Sequence, residues 1–375
     1  MNGRIGGVLN TSKSGLWTPE DHLFDVNEIR TGVTPRYGSY KNPIICGVQD
    51  TGTRSTDGAG LRQVTAASPL QAATLDTAYF DEHPLFQFDD WTDASGNVFC
   101  EIPIAYWWRG NLPDTTDGTT PRWTMLMSTA PGTVNIGGTS CKFTASPGAF
   151  KRAGSWMDKF YYGKYRGYNA GSNKVGSKSG QTHWGNVSWE NFKTYCENNG
   201  SGYHMVSLQE WHEILGRAVI EKATFQIMPE SARSTQASCK YRGIEDFAFS
   251  GTVYAEWMDG ARTDASGKYE LWTEAGGDYS STGVTCPQDS ASESTYYNQG
   301  LITGTLFDHM FLGSSLGPAS TSFIPDYSGR NSGVVGRICL SYFGAGGAYY
   351  GAFNSYFYNL PSDVGANIGS RLAKW

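Results

Sequence analysis

The pattern of apolar and polar residues changes near Phe86. Residues 1–85 are rich in Gly, Thr, Ser and Asp, and short apolar runs such as Ile44–Val48 stand between turn signals. This pattern predicts an irregular β-rich segment for attachment or oligomerisation. After Phe86 apolar and aromatic residues dominate, and the turn cluster Asp93–Asn97 precedes the run NVFCEIPIAYWW. That run predicts a buried strand in which Pro103 introduces a bend or an edge position.

Two helices are predicted in the middle of the chain. Ser188 can cap a helix over Trp189–Asn198, and Ser207 followed by Glu210 has capping-box spacing for a helix over residues 208–223. The expected apolar faces are Trp189, Phe192, Tyr195 and Cys196 in the first helix, and Leu208, Trp211, Leu215 and Ala218 or Val219 in the second. Two helices followed by a long irregular β region indicate an α+β fold.

Composition narrows the class of protein. The chain has 375 residues, of which 47 are Gly, 14 % are aromatic and only 17 % are charged. These values fit a protein rich in turns and strands better than a helical bundle or a disordered chain. The net charge of −6 and the scattered basic residues give no footprint for nucleic acid.

Targeting signals and cysteine spacing point to synthesis in the cytoplasm. We recognise no signal peptide in residues 1–10 and no apolar run long enough to span a membrane. A protein of this kind that acts outside cells would need another exit, such as release on a phage particle by lysis. The seven cysteines are dispersed and lack C-x-x-C spacing, which favours buried thiols over a metal or disulfide framework.

The stretch from Leu340 to Ser370 has an unusual composition. Asp363 is its only charged residue, and Gly, Ala and Ser separate its aromatic residues. Eight aromatics lie within 17 positions: Tyr342, Phe343, Tyr349, Tyr350, Phe353, Tyr356, Phe357 and Tyr358. Tyr mixed with Ser, Gly and Asn is typical of antibody-like binding surfaces, where it offers a large amphipathic contact at low entropic cost.

The residues that are missing from this stretch carry a second signal. Lys, Glu, Gln, Met and Trp are absent, and none of them can be reached from an Asn or Tyr codon by changing adenines alone. Every residue type that is present can be reached in this way. Adenine-specific mutagenesis would leave this composition, although a Gly- and Tyr-rich β region would also lack those residues.

The closing motifs resemble the variable proteins of diversity-generating retroelements, among them the tropism-determining receptor-binding proteins of phages. Gly351–Phe353, Pro361–Ser362 and Asn367–Arg371 resemble the G-x-F, Pro-Ser and N-I-G-F-R segments of that family. Arg337 stands near the first Arg of its R-G-G-S-W segment, which is otherwise not preserved, and Ser370 replaces the family's Phe. Two internal segments resemble further family motifs through Ser207, Glu210, Trp211, Gly243, Asp246, Gly251, Val253, Glu256 and Trp257.

The resemblance implies a C-type-lectin-like fold close to that of formylglycine-generating enzymes. It implies a ligand-binding domain over residues 86–375, with a variable region at about 340–371 and Arg337 and Asn367–Arg371 as framework. The residues predicted to face the ligand are Tyr342, Ala345, Ala348, Tyr349, Tyr350, Tyr356, Tyr358, Asn359 and Asp363. Alternation along the chain places Phe353, Phe357 and Ile368 in the core.

The sequence offers weaker support for several other functions. A formylglycine-generating oxidase needs a pair of reactive cysteines near the C-terminus, where Cys339 stands alone. A hydrolase could use histidines, but their spacing matches no triad or metal motif; the candidates are His183, His204, His212 and His309. A calcium-dependent lectin would need clustered carboxylates, which Asp278, Asp289 and Glu293 do not provide. A non-diversified adhesin, or a structural tail component with its Tyr stretch at a subunit interface, remains an alternative.

The sequence therefore predicts a non-enzymatic, phage-type receptor-binding protein without cofactor or metal. Its expected partners are a host cell-surface protein or glycan and the tail proteins of a virion, and it could form a homotrimer. Nucleic acid and membrane insertion are not expected. The expected location is a phage tail or another surface that displays the protein.

Overall fold

A computed structural model describes most of the chain. The described residues are 43–55, 58–66, 70–227, 239–247, 255–287, 297–303, 307–317, 323–330, 335–341, 352–353 and 355–375.

Short strands make up most of the regular structure in these ranges. The strands are β1 (Ile45–Ser55), β2 (Gly58–Thr65), β3 (Gln71–Ala72), β4 (Asp90–Thr92), β5 (Val98–Pro103), β6 (Tyr106–Pro113), β7 (Pro121–Ser128), β8 (Gly132–Ile136), β9 (Thr139–Phe143), β10 (Lys151–Arg152), β11 (Ser155–Trp156), β12 (Lys159–Gly163), β13 (Tyr168–Asn169), β14 (Val175–Gly176), β15 (Tyr203–Met205), β16 (Ala255–Thr263), β17 (Lys268–Trp272), β18 (Tyr279–Thr285), β19 (Tyr297–Leu301), β20 (Gly313–Gly317), β21 (Ile324–Arg330), β22 (Arg337–Ser341), β23 (Ser355–Asn359), β24 (Ile368–Gly369) and β25 (Leu372–Lys374). The helices are α1 (Thr77–Glu82), α2 (Pro147–Phe150), α3 (Trp189–Glu197) and α4 (Leu208–Lys222), with a 3₁₀ turn at Pro84–Phe86.

These strands form three larger sheets and three two-stranded ribbons. The first sheet has the order β3-β2-β1-β7-β6, and the second has the order β15-β25-β12-β5-β4. The third follows β18-β17-β16-β22-β23-β21-β19-β20, and β24 pairs with β16 beside this path. The pairings are antiparallel except for β16 with β24 and β21 with β23. The C-terminal strands therefore belong to two different sheets: β24 pairs with β16 in the third sheet, and β25 lies between β15 and β12 in the second.

The predicted architecture, an α+β fold with two helices and a C-type-lectin-like domain, is wrong. The structure is mostly β, with 44 % of residues in strands and 14 % in helices. Its described part contains four helices and many small antiparallel sheets, and nothing identifies it as C-type-lectin-like. The physical reason is that local motifs fix only local structure. The strands that set this architecture are short, and they pair across long sequence separations that no local pattern reveals.

The two predicted helices are confirmed, together with their caps. The Ser188 hydroxyl accepts a hydrogen bond from the Asn191 N–H at 3.3 Å at the start of α3. The capping box of α4 is complete, because Ser207 and Glu210 each accept a hydrogen bond from the other's N–H. Helix α4 ends at Ala223, which has the left-handed conformation with φ 47°.

Helix α4 is buried from Leu208 to Ile220 rather than along one stripe. This is possible because its interior charges have partners: Arg217 Nη1 lies 2.9 Å from Glu213 Oε2, and the Trp107 indole donates to the same carboxylate at 3.0 Å. The Arg217 guanidinium also donates to the Leu85 carbonyl at 2.8 Å. Paired charges with satisfied donors can be buried where isolated ones cannot.

The predicted strand after residue 97 is bent at Pro103 and divided into two. Strand β5 ends at this proline and pairs with β12, while β6 begins at Tyr106 and pairs with β7 in another sheet. Strand β1 pairs with β7, so Ile45 lies opposite Ser128. Residues 45–72 thus form one sheet with residues 106–128, which lie beyond the boundary predicted at residue 85.

Candidate ligand-binding surface

Strand β23 carries the last part of the Tyr-rich stretch and lies in the interior of the largest sheet. It pairs antiparallel with β22, with Arg337 opposite Asn359 and Leu340 opposite Ser355. On its other side it pairs parallel with β21, with Ser328 opposite Ser355. Main-chain hydrogen bonds hold the strand on both sides and do not depend on which side chains it carries.

Two of the three residues predicted to lie in the core are buried there. Phe353 and Phe357 are buried, and their ring centroids lie 5.1 Å from that of Phe311 and 5.5 Å from that of Tyr269, respectively. Ile368 is half-buried and packs against a core cluster. The core positions predicted for Phe353 and Phe357 are therefore confirmed, whereas Ile368 is only partly buried.

The residues predicted to face the ligand are only partly described. Tyr342, Ala345, Ala348, Tyr349 and Tyr350 lie outside the described residues. Tyr356 and Tyr358 belong to β23, for which the main chain is described at these two positions. Asn359 and Asp363 are half-buried. Asp363 closes a turn, since its carboxylate accepts a hydrogen bond from the Leu360 N–H at 2.8 Å and its own N–H donates to the Leu360 carbonyl at 3.0 Å.

Exposed apolar side chains mark one end of the β22/β23 pair. Among the described residues, three large hydrophobic side chains are strongly exposed: Val335 at 40 %, Leu360 at 43 % and Val364 at 59 %. Val335 precedes β22 and Leu360 follows β23, so the register of Arg337 with Asn359 brings both to the same end of the pair. Leu360 and Val364 lie within the predicted binding stretch. Exposed apolar groups that cluster, rather than scatter, indicate an interaction surface.

The loop after β23 is anchored to the loop before α3. The Asn186 N–H donates to the Gly365 carbonyl at 2.7 Å, and His183 Nε2 lies 3.0 Å from the Ala366 carbonyl oxygen. Gly185 makes this approach possible, because a Cβ there would lie 2.1 Å from the same oxygen. The loop that presents Leu360 and Val364 is therefore held by its backbone at its far end.

Arg371 fixes the chain after this loop. Its side chain is fully buried, and its Nε lies 3.1 Å from Glu256 Oε1, which also contacts Arg166 Nη1 at 3.1 Å. The two terminal nitrogens of Arg371 donate to the carbonyl oxygens of Gly163, Lys164, Glu245 and Asp246 at 2.6–3.4 Å. The role of framework residue that the sequence suggested for Arg371 has a clear physical basis in this network.

Arg337 has very different surroundings from Arg371. Its guanidinium carbon lies 4.5 Å from the centroid of the Trp189 ring and 5.8 Å from that of Tyr279. Arg262 lies directly opposite on β16, and its guanidinium is 4.4 Å from the same Tyr279 ring. Burial lowers the pKa of Arg337, and the nearby Arg262 acts in the same direction. The sequence had suggested only a framework role for this residue.

Of the histidines that could have formed a catalytic group, His212 and His309 are buried near each other, whereas His183 and His204 make separate contacts. His212 is buried, its Nδ1 is 2.9 Å from the Leu208 carbonyl oxygen, and desolvation lowers its pKa to about 3. His309 is also buried, and desolvation lowers its pKa well below the usual value. His204 Nε2 contacts Glu210 Oε1 at 2.7 Å, and its ring stacks on Trp375. The described part of the chain contains no group of three or more His, Cys, Asp or Glu placed to hold a metal ion.

Five of the cysteines are buried as thiols, and burial raises the pKa of each. The value is about 12 for four of them, and the pKa of the fifth, Cys196, lies well above its usual value. The four are Cys46, Cys100, Cys141 and Cys286. Cys339, which the oxidase hypothesis would have needed, belongs to β22, and its side chain is outside the described part. The buried thiols behave as small apolar groups rather than as nucleophiles.

Comparison with protein-family models and with curated proteins finds no match for this chain. The likeness to the variable proteins of retroelements therefore rests on the motifs themselves. In the described residues, no helix is long and apolar enough to cross a membrane.

Proposed function

We propose that this protein binds a target on the surface of a host cell through its Tyr-rich C-terminal stretch, and that it acts as a phage-type receptor-binding protein rather than as an enzyme. The observation that carries the proposal is the position of the exposed apolar side chains. Leu360 and Val364 lie in the stretch that composition alone marks as a binding surface, and Val335 lies at the same end of the β22/β23 pair.

The way the stretch is held gives further support. A binding surface that changes its side chains needs a backbone that does not depend on them. The main chain of β23 is paired on both sides, Phe353 and Phe357 are buried, and Arg371 fixes the chain beyond the loop. A rigid frame of this kind lowers the entropic cost of binding.

Substitution of tyrosines tests this function directly. Tyr349, Tyr350, Tyr356 and Tyr358 would be replaced together by Ala, and binding of the labelled full-length protein to a panel of bacterial strains would be measured by flow cytometry. We expect cell binding to fall about tenfold or more on any strain that the unmodified protein binds, because Tyr is enriched among the residues that dominate binding energy. The melting temperature should change little.

A matched control uses tyrosines elsewhere on the surface. Tyr165 and Tyr168 are half-buried and lie outside the segment that carries the eight aromatic residues, so their replacement by Ala should leave cell binding unchanged. If the four-residue variant binds cells as strongly as the unmodified protein, the stretch is not the binding surface. If that variant instead loses its oligomeric state, the stretch is a subunit interface and the proposal fails.

Diversification by a retroelement is a separate part of the proposal, and genomic sequence tests it. We expect a reverse transcriptase gene close to this gene, beside a near-copy of the segment that encodes residues 340–371. The two copies should differ only at adenines of the template. If no such pair exists, the proposal reduces to a binding protein with a fixed surface.

A further inference from the structure

Arg337 is a cation for which the described residues offer no carboxylate partner. Among the described residues, no Asp or Glu oxygen lies within 4.0 Å of its guanidinium, and two carboxylates on neighbouring strands have partners of their own. Asp259 contacts Lys193 Nζ at 2.8 Å and accepts a hydrogen bond from the Tyr279 hydroxyl, and Glu270 pairs with Arg262. Asp259 and, to a smaller extent, Glu190 in the first turn of α3 raise the pKa of Arg337 without forming an ion pair with it.

Two donor atoms of Arg337 are buried and lack an acceptor. Its Nε and Nη1 have no hydrogen-bond partner in the described part of the protein. The aromatic rings of Trp189 and Tyr279 flank the guanidinium, and they stabilise its charge without occupying its N–H groups. A half-buried guanidinium with unsatisfied donors is suited to bind a carboxylate or phosphate, which can accept two hydrogen bonds from it at once.

The residues next to Arg337 support its role as an anion-binding group. Arg262 lies opposite Arg337 on β16, and the guanidinium groups of Arg262 and Arg337 lie 4.4 Å and 5.8 Å from the centroid of the Tyr279 ring. Because Arg262 is already paired with Glu270, the uncompensated charge here is that of Arg337. On its other side Arg337 pairs with Asn359, which belongs to the predicted binding stretch. Leu360 is the next residue, and Val335 precedes Arg337 by two positions.

We propose that Arg337, with Arg262 beside it, forms an anion-binding subsite of the C-terminal surface, and that the target presents a carboxylate or phosphate group of an acidic surface glycan. The subsite combines a fixed positive charge with the exposed apolar side chains of Val335 and Leu360. Its role in recognition rests on the proposed function, whereas its ability to bind an anion does not.

The first experiment measures anion binding by the isolated full-length protein. The melting temperature would be followed against increasing inorganic phosphate, sodium glucuronate or glucose, with sodium chloride holding the ionic strength constant. A ligand that binds only the folded state raises the melting temperature with its concentration. We expect saturable increases with phosphate, with glucuronate or with both, and none with glucose. Phosphate alone would indicate a phosphate ester, and glucuronate alone an acidic sugar.

Variants assign the effect to Arg337. Arg337→Gln should weaken the apparent affinity for the anion about tenfold or more, which corresponds to ~1.4 kcal/mol. Arg337→Lys keeps the charge but loses the two-pronged donor geometry, and it should respond at intermediate strength. Arg152→Gln is the matched control, since Arg152 is also a half-buried arginine over a tryptophan ring, Trp375, at 4.4 Å. It should respond like the unmodified protein.

Several outcomes would overturn the subsite. One is a response to phosphate and glucuronate that does not exceed the response to sodium chloride, and another is an equal response in Arg337→Gln and the unmodified protein. Cell binding separates this inference from the proposed function. If Arg337→Gln binds cells as strongly as the unmodified protein does, the subsite takes no part in recognition and the inference fails, while the proposed function stands. If the unmodified protein binds anions but no cells, the proposed function fails.

Discussion

The buried network around Arg371 allows a quantitative test of how the C-terminal stretch is held. Arg371→Ala would remove a guanidinium that contacts one carboxylate and four main-chain carbonyl oxygens in the interior. Glu256 would stay fully buried, with Arg166 at 3.1 Å as its remaining charged partner. Breaking a buried ion pair by removing one partner typically costs about 3–5 kcal/mol. Because Glu256 keeps Arg166, we expect a loss near the lower end, about 3 kcal/mol.

Urea denaturation followed by tryptophan fluorescence would give the free energy of unfolding. A loss of about 3 kcal/mol is large against the ~5–15 kcal/mol that stabilises a typical domain. Arg371→Lys should show an intermediate loss, because a lysine has fewer donors to share among the same acceptors. Arg337→Gln is the contrasting variant: it breaks no hydrogen bond of a described residue and should cost only about 0.5–2 kcal/mol through lost cation–π contacts. A decrease in the free energy of unfolding below about 1 kcal/mol for Arg371→Ala would refute this reasoning. Equal decreases for Arg371→Ala and Arg337→Gln would also refute it.

Two further predictions concern buried titratable groups. Desolvation raises the pKa of Asp308 from 3.8 to about 7, so its protonation stabilises the folded state below about pH 4, and this contribution is lost as the pH rises towards 7. The free energy of unfolding of Asp308→Asn, relative to that of the unmodified protein, should therefore rise by about 2–3 kcal/mol when the pH is raised from 5 to 8. Urea denaturation at the two pH values measures this difference. The same difference at pH 5 and at pH 8 would contradict the prediction. Five of the seven thiols, Cys46, Cys100, Cys141, Cys196 and Cys286, should react with a thiol reagent only after unfolding. More than two fast-reacting thiols in the native protein would show that burial does not protect them.

The sequence predicted those features that depend on neighbouring residues. Ser188 and Ser207 start helices because each hydroxyl accepts a hydrogen bond from an N–H three residues later, and this spacing is visible in the chain. Pro103 ends a strand because it has no N–H to donate to a neighbouring strand. Phe353 and Phe357 are buried as their apolar character and spacing predicted.

Features that depend on distant residues were not predictable in this way. Strands of two residues, such as β13 and β14, carry no periodic signal and exist because of the strands beside them. Arg217 and Glu213 lie on a helix face that the apolar pattern leaves polar, yet both are buried. Their burial is possible because Glu213 accepts a hydrogen bond from the Trp107 indole and Arg217 donates one to the Leu85 carbonyl. The fold class was wrong for the same reason: the motifs that suggested it are local, whereas the sheets are built by long-range pairing.

The candidate surface shows the same division between local and distant causes. Composition marked residues 340–366 as exposed and suited to binding, and two of its residues, Leu360 and Val364, are strongly exposed. The surroundings of Arg337 could not be found in this way, since Trp189 lies about 150 positions before it and Tyr279 comes from another strand. Only folding brings these rings around one guanidinium. If the surface diversifies, Arg337 is a residue that selection would keep, because the side chains that flank it come from outside the variable stretch. With a fixed anion-binding group beside variable side chains, different variants of the protein would bind different targets that all carry an acidic group.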